Sequence, residues 1–381
     1  MSTSDADLLC VTFNEDSTSL AIGRSCGYSL YSVNKAITDL TAIYNDQVYE
    51  DVIIVEHLYS SALVLIVSRQ SPRKLRVHHF EKGKEMGTYS YSNNILAVKL
   101  NLSRVIVCLE ESIHVHNIRT MKEVYTIKDM ARNPQGLIAL SSADTAYIAY
   151  PASSTSGQVD IFDTVNLCVA QSIAAHDAQL AALSLNTGGD LLATASSKGT
   201  VIRVFSLPSG DRLFEFRRGM ARCATIHSLA FSQDSSYLCS SSNTQTVHVF
   251  KLPSISPEKS CATESSDDAS NSYTSWVDYF SRTATHYLPS QMSDILQRET
   301  SFSTARLPFL SSFSAVALTK QVFLSKQKSS NQKSANSQRL TTEAHCGPAK
   351  AQTIKCIYWS PHKTVSYSVI GSPQLGVNVS W

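Results

Sequence analysis

Short apolar, β-branched runs cut by turn residues recur along this chain from Cys10 to Leu252, and no long 3.6-residue periodicity appears before residue 270. That pattern predicts strands rather than helices. The first groups are Cys10–Phe13, Leu20–Ile22 and Tyr28–Val33; Val52–His57, Leu63–Val67, Leu75–Phe80 and Met86–Tyr91; and Ile95–Leu100, Val105–Leu109, Ile113–Ile118 and Val124–Ile127. The fourth is Leu137–Leu140, Tyr147–Tyr150, Gln158–Phe162 and Cys168–Ile173, and the fifth Ala181–Leu185, Leu191–Ala195, Val201–Phe205 and Leu213–Phe216. The sixth opens with His227–Phe231, Tyr237–Ser241 and Val247–Leu252.

The leading strands centre near Thr12, Val55, Val98, Ala139, Leu183 and Leu229, at separations of 43, 43, 41, 44 and 46 residues. A period in the low forties with four strands per unit is the signature of propeller blades. One four-stranded sheet cannot bury both its faces alone, so blades stack radially and bury one another. The expected fold class is all-β, a WD40-like β-propeller with six clear blades. The blades depart from the standard repeat, because their third strands end in Tyr-Ser-Val, His-Phe-Glu, Asn-Ile-Arg, Phe-Asp-Thr, Phe-Ser-Leu and Phe-Lys-Leu, never in Trp-Asp.

Composition narrows the function classes. The formal charge is +2, which argues against a dedicated nucleic-acid binder. Apolar runs such as Ala62–Val67 fall far short of the ~18 residues a membrane-spanning helix needs. The N-terminal Met-Ser-Thr-Ser-Asp lacks the layout of a secretory signal, and the nine cysteines form no C-x-x-C pair. Reduced cytosolic thiols are therefore expected. From Lys320 onward there are eight Lys/Arg and one acid, a surplus of +7, against 25 minus 30, or −5, for the preceding residues. The last sixty or so residues thus differ in kind from the rest.

No phosphate loop, dinucleotide fingerprint, nucleophile elbow or zinc-protease helix is present. No catalytic residue, metal or cofactor is assigned. His114 and His116 share a strand face, with no carboxylate or thiol partner evident for a metal, and His78-His79 likewise reads as packing. His176, just before the fifth blade, reads first as a blade-packing hydrogen bond.

The informative stretch is Leu213-Phe-Glu-Phe-Arg-Arg-Gly219. Adjacent residues in an extended chain project to opposite sides, so Arg217 and Arg218 address two pockets flanking one strand, and Gly219 allows a sharp turn. The fifth blade offers Thr194, Ser196, Gly199, Thr200 and Arg203 on one side; the sixth offers Ser242, Asn243, Thr246 and His248 on the other. A planar guanidinium grips a phosphate bidentately while hydroxyls and backbone N–H groups take the remaining oxygens. Two such sets point to two phosphate sites, or, on the competing reading, to a scaffold binding only proteins whose arginines hold an acidic peptide.

Phe216-Arg-Arg-Gly219, with Gly199-Thr-Val-Ile-Arg-Val-Phe205 before it and Thr246-Val-His-Val-Phe250 after it, resembles the PROPPINs, seven-bladed phosphoinositide-binding propellers, and among them the WIPI branch of autophagy. Ser17-Thr-Ser-Leu-Ala21, Val107-Cys-Leu-Glu-Glu-Ser112 and Ser303-Thr-Ala-Arg-Leu307 agree, so the resemblance covers roughly residues 8–308. It implies binding of phosphatidylinositol 3-phosphate and the 3,5-bisphosphate at two rim sites. The first would take Ser196, Gly199, Thr200, Arg203 and Arg217, with Thr194 and His176 beside them; the second Arg218, Gly219, Ser242, Thr246 and His248. It further implies a cytoplasmic adaptor, peripheral on preautophagosomal and endosomal membranes, that recruits conjugation and lipid-transfer machinery.

The domain layout follows. Residues 8–252 hold blades one to six through the third strand of the sixth, 253–300 an inserted loop, and 301–309 the last strand of blade six. Pro253–Asn271 reads as linker. A helix over about 274–297 gathers Trp276, Val277, Phe280, Ala284, Tyr287 and Leu288 on one face, with Pro289 ending or kinking it. A Trp- and Phe-bearing amphipathic segment on a linker fits membrane insertion. Residues 310–381 read as a divergent or truncated seventh blade and a basic low-complexity tail; Phe313–Leu318, Val322–Leu324, Thr353–Trp359, Thr364–Ile370 and Gly376–Trp381 are its candidate strands. A truncated or alternatively spliced product with an unrelated tail is the favoured expectation, which would leave the first and sixth blades partly uncovered.

Overall fold

The computed structural model of the chain describes residues 8–33, 41–142, 147–218, 224–244, 246–252, 299–301, 303–306, 313–320, 352–360, 363–372 and 375–379. The expected insertion residues Trp276, Val277, Phe280, Tyr287 and Leu288, Gly219 of the first motif and the candidate strand Val322–Leu324 lie outside them.

The described strands form seven sheets in chain order. Blade one is Leu8–Phe13, Ser19–Arg24, Gly27–Ser32 and Thr41–Asp46, paired antiparallel in that order. Blades two, three and four follow over 52–90, 97–127 and 139–176. Blade five is Leu180–Leu185, Leu191–Ser196, Val201–Ser206 and Arg212–Arg217. Blade six is Ile226–Phe231, Tyr237–Ser242 and Thr246–Lys251, completed by Ser303–Arg306 from beyond residues 253–298. The other candidate tail strands pair as a seventh sheet of Phe313–Lys320, Gln352–Ser360, Lys363–Ser372 and Leu375–Val379. The first of these lies against the first two strands of blade six and the first of blade one.

The predicted repeat is therefore the observed one. The strand that its pattern left out, Thr41–Asp46, is the outermost of blade one and faces solvent at three of its first four residues. An outer strand has one neighbour and needs no apolar run. The middle strands are the reverse: all six residues of Leu191–Ser196 are buried. Their side chains, with those of the flanking strands, make apolar layers between neighbouring blades. Between blades five and six that layer contains Ala193, Ile202, Val204, Phe216, Leu229 and Phe250.

Polar staples join the blades at their first hairpins. Asn14 Nδ2 donates to the Tyr59 carbonyl at 3.0 Å, linking blades one and two. Asn101 Nδ2 donates to the Ser141 carbonyl at 2.9 Å, linking three and four. Asn186 Nδ2 reaches Ser235 Oγ at 2.9 Å, linking five and six. Each asparagine also closes its own hairpin by accepting from the chain with Oδ1: from the amides of Ser19, Arg104 and Leu191 respectively. Blade six also reaches blade one directly, through Gln233 Nε2 to the Glu15 carbonyl at 3.2 Å.

Candidate functional site

The arginine pair sits where the fourth strand of blade five ends. Phe216, 1% exposed, stacks on Phe250 of blade six with ring centroids 4.7 Å apart. Burying such a ring contributes about 1.5–3 kcal/mol and fixes the strand just before the two cations. Arg217 lies opposite Val201 in the ladder, and the Arg218 amide donates to the Thr200 carbonyl at 3.2 Å. The backbone of both residues is thus held by the turn that follows the second strand of blade five.

The two guanidinium groups diverge. Glu215 shares a strand face with Arg217 and binds Arg203, Nε to Oε2 at 2.9 Å, while Arg203 Nη1 donates to the Ala175 carbonyl of blade four at 2.6 Å. Arg217 therefore faces the blade-four side. Arg218 faces the other way, donating from Nη2 to Thr244 Oγ1 of blade six. The Nε atoms of both arginines are buried without a hydrogen-bond partner among the described residues. An unmet buried donor costs about 1–3 kcal/mol, so each is a place where an incoming acceptor gains more than it would from solvated arginine.

On the blade-four side, Ser196, Gly199 and Thr200 frame the turn, and the Gly199 amide donates to the Ser196 carbonyl at 2.9 Å. Gly199 adopts φ +61, and a Cβ there would lie 1.6 Å from the carbonyl oxygen of Ala224, on the approach to blade six. Gly199→Ala is expected to cost roughly 2–4 kcal/mol from strain and displacement of that neighbour, read as a lowered unfolding midpoint. Thr194 is fully buried and its hydroxyl lies 2.9 Å from His176 Nε2. Burial, then the charge of Arg203, pushes the His176 pKa down to about 4, so that ring is neutral. Arg203, expected in the first site, is held by Nε on Glu215 and by Nη1 on the Ala175 carbonyl, partners that were not evident from the sequence although Glu215 stands two residues before Arg217.

On the blade-six side the hydroxyls form a file. Ser242 Oγ lies 2.9 Å from Thr244 Oγ1, Thr244 Oγ1 3.0 Å from Thr246 Oγ1, and Thr246 Oγ1 3.1 Å from His248 Nε2. Thr244 was missed, yet its signal was there: Ser242, Thr244, Thr246 and His248 alternate at a spacing of two. Burial, then the charge of Arg218, pushes His248 down to about 4, while burial alone lowers the pKa of Arg218. Of the other histidines singled out in the sequence, His78 and His116 are packing elements, Tyr28 OH bonding His78 Nδ1 at 2.7 Å and Tyr91 OH bonding His116 Nε2 at 3.0 Å. His114 Nδ1, by contrast, lies 3.2 Å from Glu123 Oε2, a carboxylate partner that the sequence had not made evident because it belongs to the neighbouring strand. A cavity at the propeller axis holds no unpaired cation among the described residues that line it. This cavity, about 290 Å³ and lined by inner strands of blades three to six, contains Lys99, whose ammonium is neutralised by Glu56 at 2.7 Å.

Comparison with known proteins places this rim in context. The PROPPIN family profile matches residues 7–331. The chain is 52% identical over 306 residues, 79% of its length and 68% of the other's, to WD repeat domain phosphoinositide-interacting protein 2 of Gallus gallus. It is 40% identical over 307 residues, 78% of its length and 73% of the other's, to autophagy-related protein 18 of Caenorhabditis elegans. Among solved structures, Kluyveromyces lactis Hsv2 with its complete loop 6CD superposes at a TM-score of 0.66, covering 96% of this chain and 93% of that one at 17% identity, a likeness of fold. The complex of KlAtg21 with the coiled coil of AgAtg16 matches at a TM-score of 0.57 and 25% identity, over 65% of this chain and 81% of that one. With the matched span taking in all six regular blades and the arginine pair, the chain belongs to the PROPPIN family.

Proposed function

We propose that the chain is a phosphoinositide-reading peripheral membrane adaptor of autophagy, a binding protein rather than an enzyme. The observation that carries this reading is the pair of diverging guanidinium groups, each with a buried Nε that lacks a partner among the described residues. Each faces a rim pocket furnished with hydroxyls, the chemistry that a phosphorylated inositol ring requires. In the first pocket Arg217 grips phosphate, with Ser196 and Thr200 beside it and Gly199 keeping the backbone close. Arg203, Thr194 and His176 act as its wall. In the second pocket Arg218 grips phosphate with Ser242, Thr246 and His248, with Gly219 next to it in sequence. The names of the relatives, phosphoinositide-interacting and autophagy-related, support the lipid and the process. The Atg16 coiled coil bound by the similar KlAtg21 supports a partner within the same machinery.

Residues 253–300 then supply the third contact, an aromatic amphipathic segment that enters the headgroup boundary on preautophagosomal and endosomal membranes. The preferred ligands are phosphatidylinositol 3-phosphate and the 3,5-bisphosphate. Flotation of the full chain with vesicles carrying single phosphoinositide isomers tests the reading. Retention is expected on the 3-phosphate and 3,5-bisphosphate and not on unphosphorylated phosphatidylinositol. Equal retention on every anionic vesicle, or none, rejects lipid reading and leaves the protein-only scaffold.

A further inference from the structure

The chain returns from residues 253–298 at the arginine pair. Glu299–Thr300 adds to the edge of blade five as a parallel strand, with Phe216 opposite Glu299 and Arg217 opposite Thr300. Immediately afterwards Ser303–Arg306 becomes the outer strand of blade six, with Thr304 opposite His248. Ser301 Oγ lies 3.1 Å from Thr304 Oγ1, and Thr304 Oγ1 3.3 Å from His248 Nδ1. Through Thr246 and Thr244 the file ends on the Arg218 guanidinium. An unbroken sequence of polar contacts, Ser301–Thr304–His248–Thr246–Thr244–Arg218, therefore joins the exit of the insert to one arginine. The parallel ladder joins the same exit to the backbone of the other.

We infer that the exit strands, Glu299–Thr300 and Ser303–Arg306 with Ser301 between them, are coupled to both arginines, so that occupying the rim with a phosphorylated inositol and holding these strands in place favour each other. This rests on the phosphoinositide reading above and goes beyond it by assigning Thr304 and Ser301 as positioning residues. The neutral ring of His248 carries one donor and one acceptor. It therefore transmits hydroxyl direction from Thr246 on one side to Thr304 on the other, and bonds in such a chain strengthen one another. An anion that draws on Arg218 or Thr246 repolarises the file as far as Ser301. By linkage, whatever holds the exit in place raises headgroup affinity by the same factor.

The test uses the full chain and soluble inositol 1,3-bisphosphate, with no membrane present. Thr304→Val keeps shape and removes the hydroxyl, and Ser301→Ala breaks the file one step further from the arginines. Each is expected to weaken binding by about 5- to 10-fold, the lower range of common couplings, with an unchanged unfolding midpoint. Thr304→Ser is expected to restore it. Hydrogen exchange at amides 299–304 is expected to slow when inositol 1,3-bisphosphate binds the wild-type chain, and to slow less in Thr304→Val. Wild-type affinity in both variants, or exchange at 299–304 indifferent to bound ligand, overturns the coupling alone. Loss in Thr304→Val with none in Ser301→Ala also overturns it, reducing Thr304 to a direct contact. A wild-type chain that ignores inositol 1,3-bisphosphate overturns the phosphoinositide reading itself.

Discussion

Replacing Arg217 and Arg218 together with alanine is expected to abolish retention on vesicles carrying phosphatidylinositol 3-phosphate, a loss of at least about 100-fold, while the propeller stays folded. Each single replacement is expected to give an intermediate loss. The magnitude follows from geometry: the two side chains serve opposite sides of one strand end, so one vesicle surface is held by two weak sites at once, and such linkage adds about 10²–10⁴ to affinity. The stability arm has an independent reason. Both Nε atoms are buried and unpartnered among the described residues, so their removal deletes two unmet donors, which offsets the one made bond that is lost, Arg218 Nη2 to Thr244 Oγ1. Phe216 keeps the strand in place through Phe250. The unfolding midpoint of the double variant should therefore change little. Undiminished flotation of a folded double variant would refute the arginine sites.

Trp276→Asp combined with Phe280→Asp is expected to reduce vesicle retention by one to two orders of magnitude and to leave affinity for soluble inositol 1,3-bisphosphate unchanged. Burial of one large apolar side chain contributes about 1.5–3 kcal/mol, roughly ten- to hundredfold, and a carboxylate in its place adds a desolvation cost. Without a membrane neither aromatic ring has that surface to enter, so the soluble arm should not respond. Parallel losses in the two assays would mean that the aromatic face belongs to the propeller rather than to the bilayer.

Most of the ring was legible because the inner strands repeat a physical demand. Leu20–Ile22, Leu63–Val67, Val105–Leu109 and Leu191–Ala195 all fill the layers between blades, and that burden recurs every forty-odd residues. Thr41–Asp46 escaped notice because an outer strand carries no such burden. The arginine pair was legible through strand alternation, which already sends neighbours to opposite sides. The commitment of Arg203 was not, because the Ala175 carbonyl that binds it belongs to another blade. Thr304 was hardest to read, lying 56 residues from His248 in sequence and directly across from it in the sheet. Likewise, nothing in the composition of Glu299–Thr300 marks it as a strand; only the free edge of blade five makes it one.

The asparagine staples have a bearing on how much sequence change the ring tolerates. They tie one to two, three to four and five to six. Lys99 with Glu56 ties three to two, and Arg203 with the Ala175 carbonyl ties five to four, so the six regular blades form one linked run. The Gln233–Glu15 bond meanwhile clasps the sixth blade to the first. A circle built so holds its six regular members together through their own side chains, and substitutions that spare those asparagines, Lys99 and Arg203 leave the linkage standing.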